Sequence, residues 1–300
     1  MQVHQLRYFC AVASTRNFTR AAEREHVSQP SLSQQVLKLE DELGAKLFDR
    51  LGRAVRLTPF GEVFLPRAEA ILRQLSQAKL EIEEMAGLEK GRVLVGAIPT
   101  IAPYFLPARL SSFACKYRHI QVSVIEEITP VLLKKLQEAA VDMAILALPV
   151  AGEHFLCQEL LRERLYLVLP PTHRLARHES VHLKQIENDS FLLLKEGHCF
   201  RENALAACGR AKLQPNVVFE SGQFATILAM VAAGTGVSIV PHMAVEHRED
   251  CCFVPLADRG AFRRVGVVQL KQHFRSRAQR AFLEHLRHSV RQDSSERLAS

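Results

Sequence analysis

Phe18-Thr19-Arg20-Ala21-Ala22-Glu23-Arg24-Glu25-His26-Val27-Ser28-Gln29-Pro30-Ser31-Leu32-Ser33-Gln34-Gln35-Val36-Leu37-Lys38-Leu39-Glu40-Asp41-Glu42-Leu43-Gly44 decides how the first part of this chain folds. A short helix is expected over about Thr19 to Glu25, with Thr19 as N-cap and Ala21 and Ala22 facing inward. His26-Val27 forms the turn. Ser28 then caps a longer helix whose first turn holds Pro30, where a missing N–H does no harm. Leu32, Val36, Leu39 and Leu43 mark its buried face, and Gly44 ends it. Upstream, Leu6, Phe9, Cys10 and Ala13 fall at helical spacing and give a first amphipathic helix.

The other face of the long helix carries Gln29, Ser31, Ser33, Gln34 and Lys38, next to Pro30. Short hydrogen-bonding side chains and one cation, with few acids before Glu40, are what a helix needs to read base edges in the major groove. Leu47-Phe48-Asp49-Arg50 and Arg53-Ala54-Val55-Arg56-Leu57 read as a two-stranded wing, with Arg50, Arg53 and Arg56 available to phosphate or the minor groove. A helical bundle with a polar solvated face is the plainer alternative.

Thr58 and Pro59 open a long connecting helix. Its apolar positions, Phe64, Ala68, Ile71, Leu75, Ala78, Ile82 and Met85, alternate in steps of four and three, which argues for a coiled-coil seam with a second copy. Pro66 should bend the helix locally. Gly87 and Gly91 mark the exit.

The 300 residues suggest two or three units, and 48% hydrophobic with 24% charged residues is globular composition. No apolar run approaches the ~20 residues that span a bilayer, and the N-terminus lacks a signal-peptide layout, so a cytoplasmic protein with no membrane partner is expected. A net charge of +7, not confined to one end, mildly favours a polyanionic partner. None of the seven cysteines falls in a Cys-x-x-Cys pair, so no metal site is expected, and nothing calls for a cofactor.

From Val93-Leu94-Val95-Gly96-Ala97-Ile98 onward, strands and helices alternate. Strands are read at 122–125, 143–147, 165–169, 191–194 and 237–240, and helices at 101–117 and 131–140, implying a mostly parallel sheet in two α/β lobes. Crossovers between lobes are placed near Glu163 and Val265. The fold class is thus α+β multidomain. A winged helix-turn-helix domain at 1–60 and a linker (dimerisation) helix at 61–90 precede a two-lobed effector domain at 91–300. Its lobe I covers about 91–163 and 268–300, and its lobe II about 164–267.

Ligands of such folds sit at the carboxyl ends of strands, between lobes. Thr100, Thr129 and Gly197-His198-Cys199 all follow strands and should converge there. Cys199 would start a helix beside His198 and Arg201, a setting expected to favour the thiolate. Cys208 lies nine residues further along that helix. Nine helical steps separate two side chains by ~13 Å, on opposite faces, whereas a disulfide needs Cα atoms within ~7 Å. Joining them requires the intervening helix to melt, which would make the pair a switch. Cys10 is expected in a core, and Cys115 and Cys157 are read as structural. Cys251-Cys252, after a polar stretch, is expected at the surface.

The chain resembles the LysR-type transcriptional regulators in Phe18-Thr19-Arg20-Ala21-Ala22, Val27-Ser28-Gln29-Pro30-Ser31-Leu32-Ser33, Leu39-Glu40, Leu43-Gly44, Leu47-Phe48-Asp49-Arg50 and Leu57-Thr58-Pro59-Phe60-Gly61. That resemblance implies a winged helix-turn-helix joined to a periplasmic-binding-protein-like effector domain. Ile98-Pro99-Thr100 with Pro103-Tyr104, Gly197-His198-Cys199-Phe200-Arg201 with Cys208, and 230–237 are similar to the hydrogen peroxide-sensing OxyR branch. Glu202 and Asn203 stand where that branch often has Asp and Gln, and the stretch after Arg263-Arg264 follows its pattern loosely.

The resemblance implies that Cys199 attacks peroxide and Cys208 resolves the product. Thr100, Thr129, His198 and Arg201 would then form the peroxide pocket. It further implies a homotetramer built from homodimers, which binds promoter DNA and acts with RNA polymerase as an activator of oxidative-stress genes. A different reading keeps the DNA-binding role but places a small organic anion in the interlobe cleft, against Thr100, Thr129 and a helix N-terminus. A thiol peroxidase, the enzymatic reading, leaves residues 1–90 without a purpose.

Overall fold

The computed structural model describes residues 1–51, 54–85, 91–246, 248–271 and 275–299. They form two compact units, Met1–Leu88 with Glu138–Ala140, and Glu89–Gln137 with Val141–Ser300.

The first unit holds α1 (Val3–Thr15), α2 (Phe18–Arg24), α3 (Gln29–Leu43), the antiparallel ribbon β1 (Phe48–Leu51) and β2 (Ala54–Leu57), and α4 (Pro59–Met85). Asn17, not Thr19, caps α2: its Oδ1 accepts the Arg20 N–H at 3.1 Å, so the helix begins before the sequence-based expectation. Ser28 caps α3 as read, and Gly44 closes it at φ +64°. Leu32, Val36 and Leu39 are buried, but Leu43 is exposed because the chain turns away at Gly44.

Phe9 lies at the centre of this unit, with its ring centroid 5.3 Å from those of both Phe48 and Phe64. Helix, wing and linker thereby share one core. Glu40 is buried, and one carboxylate oxygen accepts the N–H groups of Leu47 and Phe48 at 2.7 and 3.1 Å. It anchors the root of the wing and takes no part in the exposed face. Gly61 is demanded by a close approach: a Cβ there would lie 2.2 Å from the Leu47 carbonyl oxygen. α4 runs unbroken through Pro66.

The second unit opens with β3 (Gly91–Ala97), α5 (Ala102–Lys116), β4 (Ile120–Glu126), α6 (Thr129–Gln137) and β5 (Met143–Leu148), with β3 parallel to both β4 and β5. The long β6 (Phe155–Leu169) then leads to β7 (Ser190–Leu194), α7 (Cys199–Arg210), β8 (Asn216–Ser221), α8 (Phe224–Ala232), β9 (Ser238–Pro241) and β10 (Cys252–Pro255). β11 (Phe262–Leu270) returns the chain to α9 (Arg277–Ala299). The main sheet runs β10-β6-β11-β5-β3-β4, with β9 also on β6.

The expected mostly parallel sheet is corrected here. β6 pairs antiparallel with β9, β10 and β11, and β11 pairs antiparallel with β5. The segment read as a strand at 165–169 is the far end of a strand beginning at Phe155. The reason is topological: a chain that leaves one lobe and later returns must do so on oppositely directed strands.

Each lobe has its own apolar core. One is built from β3, β5, α5 and α9, with Val95, Phe105, Ile145 and Phe282 inside. The other surrounds β7, α7 and α8, with Phe191, Phe200, Ile227 and Val240 inside. On the crossover strands Arg263 stands directly opposite Glu163. The Arg263 side chain is wholly buried, and its Nε donates to Glu163 Oε1. Glu163 Oε2 also accepts the Met243 N–H at 2.9 Å.

Removing one partner of such a pair leaves an uncompensated charge in the core and costs about 3–5 kcal/mol. Glu163→Leu is therefore expected to lower the unfolding free energy of the full chain by that order, read as a lower denaturant midpoint. Adding Arg263→Met should recover most of the loss. A Glu163→Leu protein as stable as its parent would show that the pair carries no structural weight.

Candidate functional site

α7 holds both cysteines of interest on one continuous helix. Gly197, at φ +88°, turns the chain after β7, and His198 in extended conformation precedes the first helical residue, Cys199. Phe200, Ala204, Ala207 and Cys208 are buried in the core of the second lobe. The half-buried Cys199 points the other way and packs against the core of the first lobe. The two thiols thus belong to different cores, on opposite faces of one helix. Burial pushes the Cys208 thiol up to about 11.

The Cys199 sulfur sits beside the Thr129 hydroxyl and an Ala147 backbone hydrogen bond. The buried Thr129 Oγ1 finds no partner of ordinary hydrogen-bonding geometry, so its effect on the sulfur is electrostatic. Burial is the largest influence on Cys199 and raises its pKa; Thr129, the Arg263 charge and Ala147 pull it down without overcoming burial. Burial thus works against the expectation that this setting favours the thiolate, while Thr129 and Arg263 act in its support.

The residues expected around this thiol are disposed as follows. Thr100 is buried, its Oγ1 accepting from Arg263 Nη1 at 3.2 Å and its carbonyl accepting from Nη2 at 3.0 Å. Arg201 donates to the Leu194 carbonyl at 2.9 Å and to Glu220 Oε1 at 2.6 Å, so its charge is held by Glu220. Burial lowers the half-buried His198 imidazole below its ordinary pKa, which favours the neutral ring near neutral pH.

The cation that acts on Cys199 is Arg263, which sequence reading had passed over as a functional residue. It also lies 5.2 Å from the Phe200 ring centroid. One signal was present. In Arg263-Arg264-Val265-Gly266-Val267 the pleat puts Arg263 on the face of two valines, where a charge needs a partner.

Cys115 and Cys157, read as structural, are exposed. Cys251 is buried with its Sγ 3.5 Å from the Leu228 carbonyl oxygen, not at the surface as its polar neighbours suggested, and Cys252 is half-buried. Cys10 packs on the first unit's core, where burial raises its pKa to about 12. Among the described residues no group of three or more His, Cys, Asp or Glu could hold a metal ion, and no helix is long and apolar enough to cross a membrane.

On α3, Gln29, Pro30, Ser31, Gln34 and Lys38 are exposed and Ser33 is half-buried, leaving one polar face uncovered. Arg56 is exposed on the wing; Arg53 lies outside the described residues, as does the side chain of Arg50. On α4, Phe64 and Ala68 are drawn into their own unit's core. Ile71, Leu75, Ala78 and Ile82 remain exposed, Ile82 at 69%.

A three-helix reader with a wing and a long helix in one unit, and a two-lobed α/β domain in the other, are the build of a DNA-binding regulator. The chain matches the bacterial regulatory helix-turn-helix protein, lysR family, over residues 3–62, and the LysR substrate binding domain over residues 86–291. It belongs to the LysR family of DNA-binding transcription regulators, which are not enzymes. It is 33% identical over 258 residues to the hydrogen peroxide-inducible genes activator of Dickeya chrysanthemi, covering 85% of each chain. It is 30% identical to YybE of Bacillus subtilis, an uncharacterized HTH-type transcriptional regulator, over 95% of this chain and 98% of the other. A solved full-length OxyR from Pseudomonas aeruginosa with a cysteine-to-aspartate substitution superposes with a TM-score of 0.75 at 34% identity, covering 96% of this chain and 98% of the other.

Thr129→Val keeps the side-chain shape but removes the hydroxyl that favours the Cys199 thiolate. The alkylation rate of Cys199, followed by mass spectrometry of its peptide, should fall several-fold at pH 7 once this polar group no longer favours the anion. Because the thiolate is the reacting form, the rate should rise with pH throughout the neutral range in both proteins. An unchanged rate at pH 7 would remove Thr129 from the site.

Proposed function

We propose that this regulator senses hydrogen peroxide through a Cys199–Cys208 thiol–disulfide switch, and that it is a cytoplasmic activator of oxidative-stress genes. One observation carries the reading: both thiols lie on the single intact helix α7, Cys208 buried in one core and the half-buried Cys199 packed against another. Nine helical steps hold them ~13 Å apart, so the bond cannot form while α7 persists. The named peroxide-inducible relative and the OxyR structure support the same reading.

Peroxide entering beside Thr129 meets the Cys199 sulfur. Loss of the thiol proton, stabilised by Thr129 and the Arg263 charge, gives the thiolate. The thiolate attacks one peroxide oxygen and the O–O bond breaks, leaving a sulfenic acid on Cys199 and releasing hydroxide, which takes up the proton as water. Melting of α7 brings Cys208 within reach, and its sulfur displaces the second oxygen as water. Two thiols are oxidised and one peroxide is reduced to two waters.

The structural consequence follows from what α7 packs. Its loss withdraws Phe200, Ala204 and Ala207 from the second lobe and the Phe200 ring from Arg263. Homodimers form along Ile71, Leu75, Ala78 and Ile82 of α4, and effector domains join two dimers into a homotetramer. The α3 faces with Gln29, Pro30, Ser31, Ser33, Gln34 and Lys38, and the wings with Arg50, Arg53 and Arg56, then meet two half-sites of promoter DNA. Changed spacing between them alters operator binding and the encounter with RNA polymerase.

Fully reduced protein given a brief, near-stoichiometric peroxide pulse should yield a peptide linking Cys199 to Cys208 before any of the other five cysteines changes. If Cys199 stays reduced while the exposed Cys115 and Cys157 react, the redox reading is wrong. Gly209→Ala offers a graded test, since an added Cβ there meets nothing within 4 Å. A helical Gly→Ala change stabilises by roughly 0.5–1 kcal/mol. Holding α7 more firmly should shift the disulfide's reduction potential roughly 10–20 mV toward less negative values. A shift the other way would show that α7 need not melt.

A further inference from the structure

Residues 257–300 hold ten lysines and arginines against four acids, an excess of positive charge that lies outside the DNA-reading unit. Part of it faces a groove of about 410 Å³ between two helices of the first lobe. Arg287 and Arg291 of α9 form one wall, and Lys116, at the end of α5, forms the other. His285, His288 and the half-buried Tyr117 complete the lining, with Glu284 the one acid among the described residues there. α5 spans 15 residues, so ~20 Å of helix separates this groove from the Thr100 end, where the two lobes meet.

The cations of the groove are poorly compensated. Arg287 donates to the neutral Oε1 of Gln158, and the Lys116 ammonium lies 5.4 Å from the centroid of the Tyr117 ring. Neither has a carboxylate partner among the described residues; the next acid along α9, Asp293, is held by Arg109. His285 Nε2 donates to the Ser112 hydroxyl oxygen at 2.9 Å and to the Arg109 carbonyl at 3.2 Å. A carbonyl only accepts, so Nε2 carries the hydrogen of the neutral ring and Nδ1 is left to take a proton. Burial lowers the His285 pKa most; the Lys116, His288 and Arg109 charges lower it further, against the pull of the Arg109 carbonyl. The carbonyl end of α5 brings only about half a negative charge. Concave walls focus the remaining positive potential.

We infer that this groove binds a di- or triphosphate group, free or carried by a nucleotide, and that the bound group clasps α9 to the end of α5. Donors line it from two helices as an ammonium, two guanidinium forks and two imidazoles. Phosphate oxygens accept from several directions, whereas a carboxylate offers one planar edge to one fork. The volume is that of a small-ligand site, so a compact anion fits where a DNA duplex does not. Because both helices supply donors, a ligand bound only by the docked pair stabilises the docking by mass action. No covalent bond is made or broken, and the site is independent of the thiol–disulfide reading above.

Pyrophosphate titrated calorimetrically into reduced full-length protein, in magnesium-free buffer at constant ionic strength, should bind saturably, once per chain. Lys116→Gln and, separately, Arg287→Gln should each weaken that binding at least tenfold. Glu284→Gln should tighten it. Arg177→Gln, which removes an exposed cation beside the core of the second lobe, should leave it unchanged. An unaltered denaturant midpoint shows that each variant is folded. Binding that does not saturate, that both groove variants retain, or that Arg177→Gln weakens equally overturns the site. Citrate that displaces pyrophosphate with equal affinity overturns the choice of phosphate. Saturating pyrophosphate should also slow amide exchange in α9 and at 112–117 several-fold; binding without that protection overturns the clasp. ADP binding more tightly than pyrophosphate would make a nucleotide the source, and ADP binding no more tightly would assign the bare phosphate chain.

Discussion

The Arg263–Glu163 pair is the constraint on which the effector unit depends. It joins the two strands that carry the chain between lobes, at residues directly opposite each other in the ladder. Arg263 also binds both the hydroxyl and the carbonyl of Thr100, and lies against Phe200 of α7. A buried ion pair adds little to stability over an apolar pair of similar volume, because desolvation offsets its attraction. Its value here lies in what one guanidinium does at once. It fixes the crossover, orders the first strand's exit and projects a positive field onto the sulfur of Cys199.

That arrangement resolves an apparent conflict in the thiol chemistry. The peroxide-sensing role proposed for Cys199 requires an anion, yet burial raises the pKa of this thiol. Thr129 and Arg263, which lower that pKa, are placed to stabilise the anion when it forms. The same burial makes Cys208 a poor nucleophile where it sits, with a pKa near 11. Its participation in the proposed switch therefore depends on leaving the core.

Local rules made much of this legible from sequence. Ser28, Gly44 and Thr58 mark helix ends by chemistry that acts within four residues, and they fall where they were read. Thr19 lost its cap to Asn17 because two good caps stood two residues apart, and only the path of the turn between them decides. Burial of charge was not legible in the same way. Glu40 reads as one more acid at the end of a polar face, and only its bonds to the wing's root reveal it. Arg263 and Glu163 lie 100 positions apart, and their pairing is a product of sheet register. The cysteines failed in both directions for the same reason. Exposure at Cys115 and burial at Cys251 follow from which face the tertiary fold covers.

The choice of α7 as the proposed switching element is supported by what each helix of its lobe contributes to the core. α8 buries Phe224, Ile227, Leu228 and Val231, four large side chains. α7 buries Phe200, two alanines and Cys208, and carries Gly209 within its last turn. Each helix buries one phenylalanine, but at roughly 0.8 kcal/mol per buried methylene the aliphatic side chains of α8 make its withdrawal costlier than that of α7. Gly209 weakens the helix further. α7 is thus the less anchored of the two α-helices described in its lobe. Local opening is easiest in such elements, so the disulfide proposed above would have comparatively little helix packing to overcome in holding α7 open.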